Sequence, residues 1–372
     1  MRRLRPKARR WWPQFLLLSG LFALLVTLGV VVAGNMAQRD MILGFGFLRY
    51  GARFPIAESL LPYSPVDSLF WAFLVGLGNS LFLTVAVIFL STLLGIPIAL
   101  ARRSRHLPAQ FLAGAFVDLI RNTPLVVQLL FWYGVITISL PPPHAAIQPL
   151  PGIFLTDRGL YFTMFGITGA ALPMVLTVMG GLALTAILAW RGRLHQASLA
   201  TLGVVLVGSA LWALLDLGIE RDVPRLGRYN FVGGLNLTPE FVAVMVGSTL
   251  YASAFAAEII RGGINAVPAG QWAACRAMGL TDRQSLRLVV VPQALAIMVP
   301  PMTSQFINIL KNSTLALAVG YPELNFIVNT GINHHGQALE SVALLMLVFL
   351  LLAWTISLLM NRLNRHAVRW AP

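Results

Sequence analysis

Charge is scarce in this chain, and cysteine and lysine are scarcer still. Only 11% of its 372 residues are charged, where soluble globular domains carry about 25%. A water-soluble fold of this length could not cover its surface with so few. The single cysteine, Cys275, excludes a disulfide framework and gives no metal site. There are two lysines, Lys7 and Lys311, and neither follows a glycine. That excludes the G-x-x-x-x-G-K-S/T loop, whose lysine reaches the terminal phosphates of a bound nucleotide. There is no G-x-S-x-G nucleophile elbow and no H-E-x-x-H zinc helix. The adjacent His334-His335 pair reads as part of a solvated loop rather than a metal site. Nothing points to an enzyme, a resident cofactor or a metal.

What is present is apolar: 57% of residues fall in the hydrophobic set, with 32 glycines besides. A helix needs about 20 apolar residues to cross about 30 Å of hydrocarbon, and charge-free runs supply eight such segments. They are Phe15–Gly34, Ser68–Ala101, Asn122–Thr156 (cut by the Pro141–Pro143 run), Gly159–Trp190, Leu194–Leu215, Phe241–Ala257, Leu288–Leu310 and Ser341–Asn361. The expected fold class is all-α, a polytopic membrane helical bundle of about eight transmembrane helices. The first apolar run is longer than the apolar region of a signal peptide and no A-x-A site follows, so it reads as an uncleaved span.

The net charge of +14 then acts as a topology signal. With both termini inside, the inner segments Met1–Arg10, Arg102–His106, Arg191–His195, Arg261–Arg287 and Arg362–Pro372 hold 18 of the 27 basic residues. Most acids fall outside. Dispersal of the arginines among spans argues against nucleic-acid binding, which needs them clustered.

The inner loop Arg261–Arg287 is too polar to cross the membrane. Pro268 suits a first helical turn, Ala269–Met278 favour helix, and Gly279 sits where a helix ends in the left-handed conformation. Thr281 with Gln284 is a capping-box pattern for a second helix running to Pro292. The exposed side would offer Gln271, Trp272, Arg276, Arg283 and Arg287. By physics alone a plain surface hairpin is the favoured reading.

At these residues the chain resembles a known family. Gly270-Gln271-Trp272-Ala273-Ala274-Cys275, then Gly279, Val289, Val291 and Pro292, is similar to the E-A-A-x3-G-x9-I-x-L-P signature of bacterial ABC-importer permeases. Pro292-Gln293-Ala294, the run from Asn308 through Lys311-Asn312-Ser313-Thr314-Leu315, and Tyr251-x6-Glu258-Ile259-Ile260-Arg261-Gly262-Gly263-Ile264 resemble its polar amino-acid subfamily. So does Arg121-Asn122-Thr123-Pro124-Leu125-Val126-Val127-Gln128. The family's glutamate is Ala273 here and the third position of the triplet is Cys275, which weakens one polar contact while keeping the glycine corner. The first span and two extra spans resemble the long-chain general L-amino-acid permeases.

The resemblance implies a type I importer (MetI-like) permease core in the bacterial inner membrane, with both termini cytoplasmic. It divides the chain into 1–67 (basic N-terminus, first span, periplasmic segment), 68–138 (first part of the core), 139–229 (insert with two spans), 230–362 (second part, with coupling loop 261–287) and 363–372 (tail). It implies that the chain forms a path for amino acids and couples to a cytoplasmic ABC ATPase dimer, which binds the ATP. A periplasmic amino-acid-binding protein and a second, different permease chain, forming a heterodimer as in the long-chain branch, complete the implied assembly. The implied ATPase-coupling residues are Gly270, Gln271, Trp272, Ala273, Ala274, Cys275, Arg276, Gly279 and Pro292.

Candidates along the path are Arg121, Gln128, Glu258, Gln305, Asn308, Lys311 and Asn312, since polar groups within spans are costly and often functional. Asp118 with Arg121, and Glu258 with Arg261, are spaced to pair on one helix face; they read as interface ion pairs or as part of a polar seam. Gln305, Asn308 and Asn312 share a helix side and either bond neighbouring helices or line the path. Pro97, Pro124, Pro300 and Pro301 imply kinks or helix starts, and the small residues of 252–257 a packing seam. A stand-alone secondary transporter would instead show inverted repeats and acids deep in spans. A membrane-embedded assembly protein would lack the loop signature.

Overall fold

The computed structural model describes residues 12–38, 44–167, 172–190, 194–214 and 219–367. The basic stretch Met1–Arg10, Arg191 and Arg193, Asp216 and the last residues of the tail fall outside them. Twelve helices make up most of the described chain: α1 (Trp12–Gln38), α2 (Leu69–Arg102), α3 (Leu107–Asn122), α4 (Leu125–Gly134), α5 (Leu172–Trp190), α6 (Leu194–Leu214), α7 (Pro239–Asn265), α8 (Ala269–Ala277), α9 (Asp282–Ser285), α10 (Val291–Asn312), α11 (Leu324–His335) and α12 (Ala338–Ala367). Among the described residues, six continuous helical segments are long and apolar enough to span a membrane, or seven if the bent α3–α4 pair counts as one span, against about eight expected.

Two expected spans are drawn differently. Asn122–Thr156 is not a single crossing. Its first part is the second arm of a helix pair bent by 104° between Asn122 and Leu125. The cause is Pro124, which forces Thr123 into an extended conformation (φ −97°, ψ 126°) and so ends α3. The other is Gly159–Trp190, of which, among the described residues, only Leu172–Trp190 is helix. Before it come strands β1 (Ile147–Leu150), β2 (Ile153–Thr156), β3 (Gly159–Phe162) and β4 (Met164–Ile167). Beyond the α5–α6 hairpin come β5 (Ile219–Asp222), β6 (Arg225–Leu226), β7 (Phe231–Val232) and β8 (Leu235–Leu237), of which β5 pairs with β4 and β8 with β3. The sheets are antiparallel, in orders β1-β2-β3-β8, β4-β5 and β6-β7. Short runs rich in aromatic and β-branched residues, punctuated by glycine and proline, form strands when a partner segment completes their backbone hydrogen bonds.

The bundle is organised around α2 and α7, both running from the sheet end to the end that carries α8. The small residues Ala252, Ser253, Ala254, Ala256 and Ala257 are buried. A Cβ on Gly95 of α2 would stand 2.9 Å from the Ala256 Cβ, so the two backbones meet as closely as small residues permit. Leu83 and Val87 of α2, Leu125 and Leu129 of α4, Val244 of α7 and Ile309 of α10 form one buried cluster beside this seam. A second cluster packs Phe47 and Phe54 of the segment before α2 against Leu69, Phe73, Leu324 and Ile327. Pro97 lies inside α2, and Pro300 and Pro301 inside α10.

Candidate functional site

At one end of the bundle α7 stops at Asn265, and Pro268 begins the nine-residue helix α8. Its C-terminus is closed by a Schellman pair: Leu280 N–H donates to the Cys275 carbonyl and Gly279 N–H to that of Arg276, each at 3.0 Å. Gly279 has φ +75°, as that closure requires. Two residues on, Thr281 caps α9 in a complete capping box with Gln284. Both sides of the corner are thus satisfied by local hydrogen bonds. The second helix does not stop at Pro292 as expected. A π-helical turn over Leu286–Val290 carries α9 into α10 without a break, and Pro292, expected to begin the next span, lies in the first turn of α10.

The faces of α8 are unequal. Cys275 is buried, and Trp272 packs with Leu286 on a buried cluster of Ile264, Val267, Val290, Ala294 and Met298. Gly270, Ala273, Ala274 and Arg276 are exposed, as are Arg283 and Arg287, whereas Gln271 and Trp272 are half-buried rather than exposed as expected. The Arg103 guanidinium, from the end of α2, lies 5.6 Å from the centre of the Trp272 ring. Burial, and then the nearby charge of Arg261, lower the pKa of Arg103.

Inside the same end, Glu258 of α7 accepts hydrogen bonds from Arg261 Nε at 3.0 Å and Nη2 at 2.9 Å. It also pairs with Arg102 from α2. The Glu258–Arg261 spacing therefore forms its ion pair, within a three-member network. Asp118 and Arg121 form none: Asp118 is exposed, and the Arg121 guanidinium sits 5.1 Å from the Phe255 ring of α7. Placed at the end of α3, Arg121 reaches a neighbouring helix rather than back along its own.

Gln128 is buried at the α3–α4 elbow, where its amide donates to the carbonyls of Ile120 at 2.9 Å and Thr123 at 3.0 Å. Gln305 is buried, Asn312 half-buried, and Asn308 and Lys311 exposed. The four residues on α10 thus share a helix but not an environment.

A second polar cluster, at the sheet end, escaped the sequence reading. Asn79 of α2 donates to the carbonyls of Glu58 and Pro322, each at 2.9 Å. The Glu58 carboxylate accepts from the hydroxyl of Thr238, the residue that caps α7. Glu323 is fully buried and caps α11, accepting from Asn325 and Phe326 N–H at 2.8 Å and from the Ser80 hydroxyl at 3.4 Å. Burial pushes its pKa up to about 7. A proline followed by glutamate ahead of a helical run was the one local signal for this cap.

The family described as binding-protein-dependent transport system inner membrane component matches residues 91–371. This fold and loop define a multi-span membrane component of a transport system, and the chain belongs to that family. It is 37% identical to the protein YhdX of Escherichia coli (strain K12), over 97% of this chain and 94% of that protein. It is 35% identical to the general L-amino acid transport system permease protein AapQ of Rhizobium johnstonii, over 96% of this chain and 92% of that protein. It is 31% identical to the glutamate/glutamine/aspartate/asparagine transport system permease protein BztB of Rhodobacter capsulatus, over 89% and 87%. A crystal structure of an amino acid ABC transporter with histidines aligns with 80% of this chain and 94% of its own, at 22% identity and a TM-score of 0.49.

Proposed function

We infer that the chain is the membrane permease subunit of an ATP-driven amino-acid importer. The observation that carries this reading is the α8 loop, an exposed short helix closed by the Gly279 corner, in a chain similar over almost its whole length to amino-acid permeases. With no phosphate loop of its own, the chain takes its driving force from a partner that binds ATP: a pair of ATPase subunits docking on α8. A binding protein delivers the amino acid at the opposite, sheet-bearing end. The membrane is the bacterial inner membrane. The arginine excess supports a cytoplasmic side for both termini and α8.

A second, different permease chain completes the path, as the similarity to long-chain members suggests. In this reading Asn308 and Lys311, exposed on α10, face the path with Asn312. Glu258 with its two arginines, Arg121 and Gln128 position the helices around it.

The test is transport by the reconstituted assembly. The chain, co-expressed with its ATPase and second permease and placed in proteoliposomes with the binding protein, takes up L-amino acids only when ATP is supplied. Uptake by the purified chain alone, driven by an ion gradient, would refute the reading in favour of a secondary transporter.

A further inference from the structure

Besides Arg287, six arginines gather at the α8 end, and they are not equivalent. Arg102 and Arg261 are neutralised by Glu258. Arg103, Arg105, Arg276 and Arg283 make no ion pair among the described residues. These four line one open notch of roughly 630 Å³ between the end of α2, α8 and α9. One wall of the notch is Trp272, and the only acid on its lining is Asp282. Four guanidinium groups around one carboxylate leave an uncompensated positive charge, part of it on Arg103, which is half-buried under the Trp272 ring. Cations of one sign clustered around a partly apolar wall attract an incoming anion.

We propose that the notch receives an acidic side chain of the ATPase subunit, held by Arg276 and Arg283 at the rim and Arg103 and Trp272 within. This rests on the permease reading above and names the chemistry of the partner surface. Besides Arg276, the exposed positions of α8 are Ala269, Gly270, Ala273, Ala274 and Ala277, small enough for a flat protein surface to approach until a carboxylate enters. A tryptophan wall beside arginines has the composition of an interface anchor. Position 273 is alanine, so α8 itself contributes no carboxylate. The polar attraction at this junction therefore runs from arginines on the permease to acids on the ATPase.

The experiment uses the co-expressed complex and measures ATPase retained on the tagged chain at 50 and 300 mM salt. Arg276→Glu with Arg283→Glu should lower retention at least tenfold, and added salt should weaken the wild-type complex but not the variant. Arg287→Glu, an exposed arginine of the same loop outside the notch, should change retention less than twofold. Arg276→Lys with Arg283→Lys, which preserves the charge, should keep most of it and shows that the loop folds with both positions altered.

Equal losses from the notch and Arg287 reversals would overturn the proposal, as would wild-type retention by the double reversal. Loss of bound anionic lipid with the ATPase retained would assign the notch to a lipid headgroup and overturn it as well. A wild-type chain that retains no ATPase at all would instead bring down the permease reading, and the notch with it.

Discussion

Substituting Gly279 separates backbone conformation from packing at the corner between α8 and α9. A Cβ built at this position meets no atom within 4 Å, so a larger residue meets no steric wall. What it meets is φ +75°, which costs a Cβ-bearing residue roughly 1–2 kcal/mol and asparagine less. A β-branched residue is a genuine outlier there. At about 1.4 kcal/mol for each factor of ten, Gly279→Ala shifts the corner toward an opened state by about 5- to 30-fold. Gly279→Val shifts it further, and Gly279→Asn least. Opening breaks the Schellman bonds of Leu280 and Gly279 and frees α8 to tilt away from α9. Trypsin reports this directly, because Arg276 and Arg283 flank the corner and are exposed, and cleavage follows the open population when reclosing is fast. The expected order of cleavage rate is Val, then Ala, then Asn, then wild type, and ATP-dependent uptake should fall in the same order at equal membrane expression. Valine and asparagine variants that cleave and transport alike would refute the backbone argument.

Further perturbations test other parts of the molecule. Gly95→Val would drive a side chain into Ala256, whose Cβ is 2.9 Å from the added Cβ, and toward the Ala257 nitrogen at 3.2 Å. A destabilisation of about 1–3 kcal/mol is expected, read as a lowered Tm in detergent. Gly262→Ala, with nothing within 4 Å of the new methyl, should be neutral or stabilising. Glu323 holds its proton up to about pH 7 in the folded chain, against 4.5 for the ordinary carboxyl. The folded state therefore binds more protons in that window, so its contribution to stability is full below pH 4.5 and is lost as pH rises through 7. Tm should fall from pH 5 to pH 8, and Glu323→Gln should flatten the slope; an equally steep slope in the variant would count against the buried-acid argument. Asn308→Leu should reduce the uptake rate several-fold at unchanged surface expression, and normal kinetics would remove Asn308 from the path.

The readable features of the chain were those written within one turn or one span. Gly279, followed by Thr281 and Gln284, announces a corner, because helix closure and capping are decided by residues three or four apart. The Glu258–Arg261 pair is legible for the same reason. Arg102, which completes that network from 156 positions away, is not, because spacing along one helix carries nothing about which helix packs beside it. The same limit explains Arg121, whose partner is Phe255 rather than Asp118. It also explains Glu323, whose burial depends on Ser80 of α2.

The insert shows this most clearly. Its strands were absorbed into an expected span because they are short and apolar. Ile147–Leu150, Ile153–Thr156 and Gly159–Phe162 pair with one another locally, while Met164–Ile167 against Ile219–Asp222 and Leu160–Phe162 against Leu235–Leu237 pair across the α5–α6 hairpin. That pairing has a consequence for the core. The last strand, β8, runs directly into Thr238, which caps α7 and donates to Glu58, while Asn79 of α2 bonds the Glu58 carbonyl. The foot of the hairpin is therefore fixed to the starts of α2 and α7, the two helices whose other ends meet at Glu258 with Arg102 and Arg261. A shift at the sheet end has a continuous, hydrogen-bonded route into the helices that frame the α8 loop.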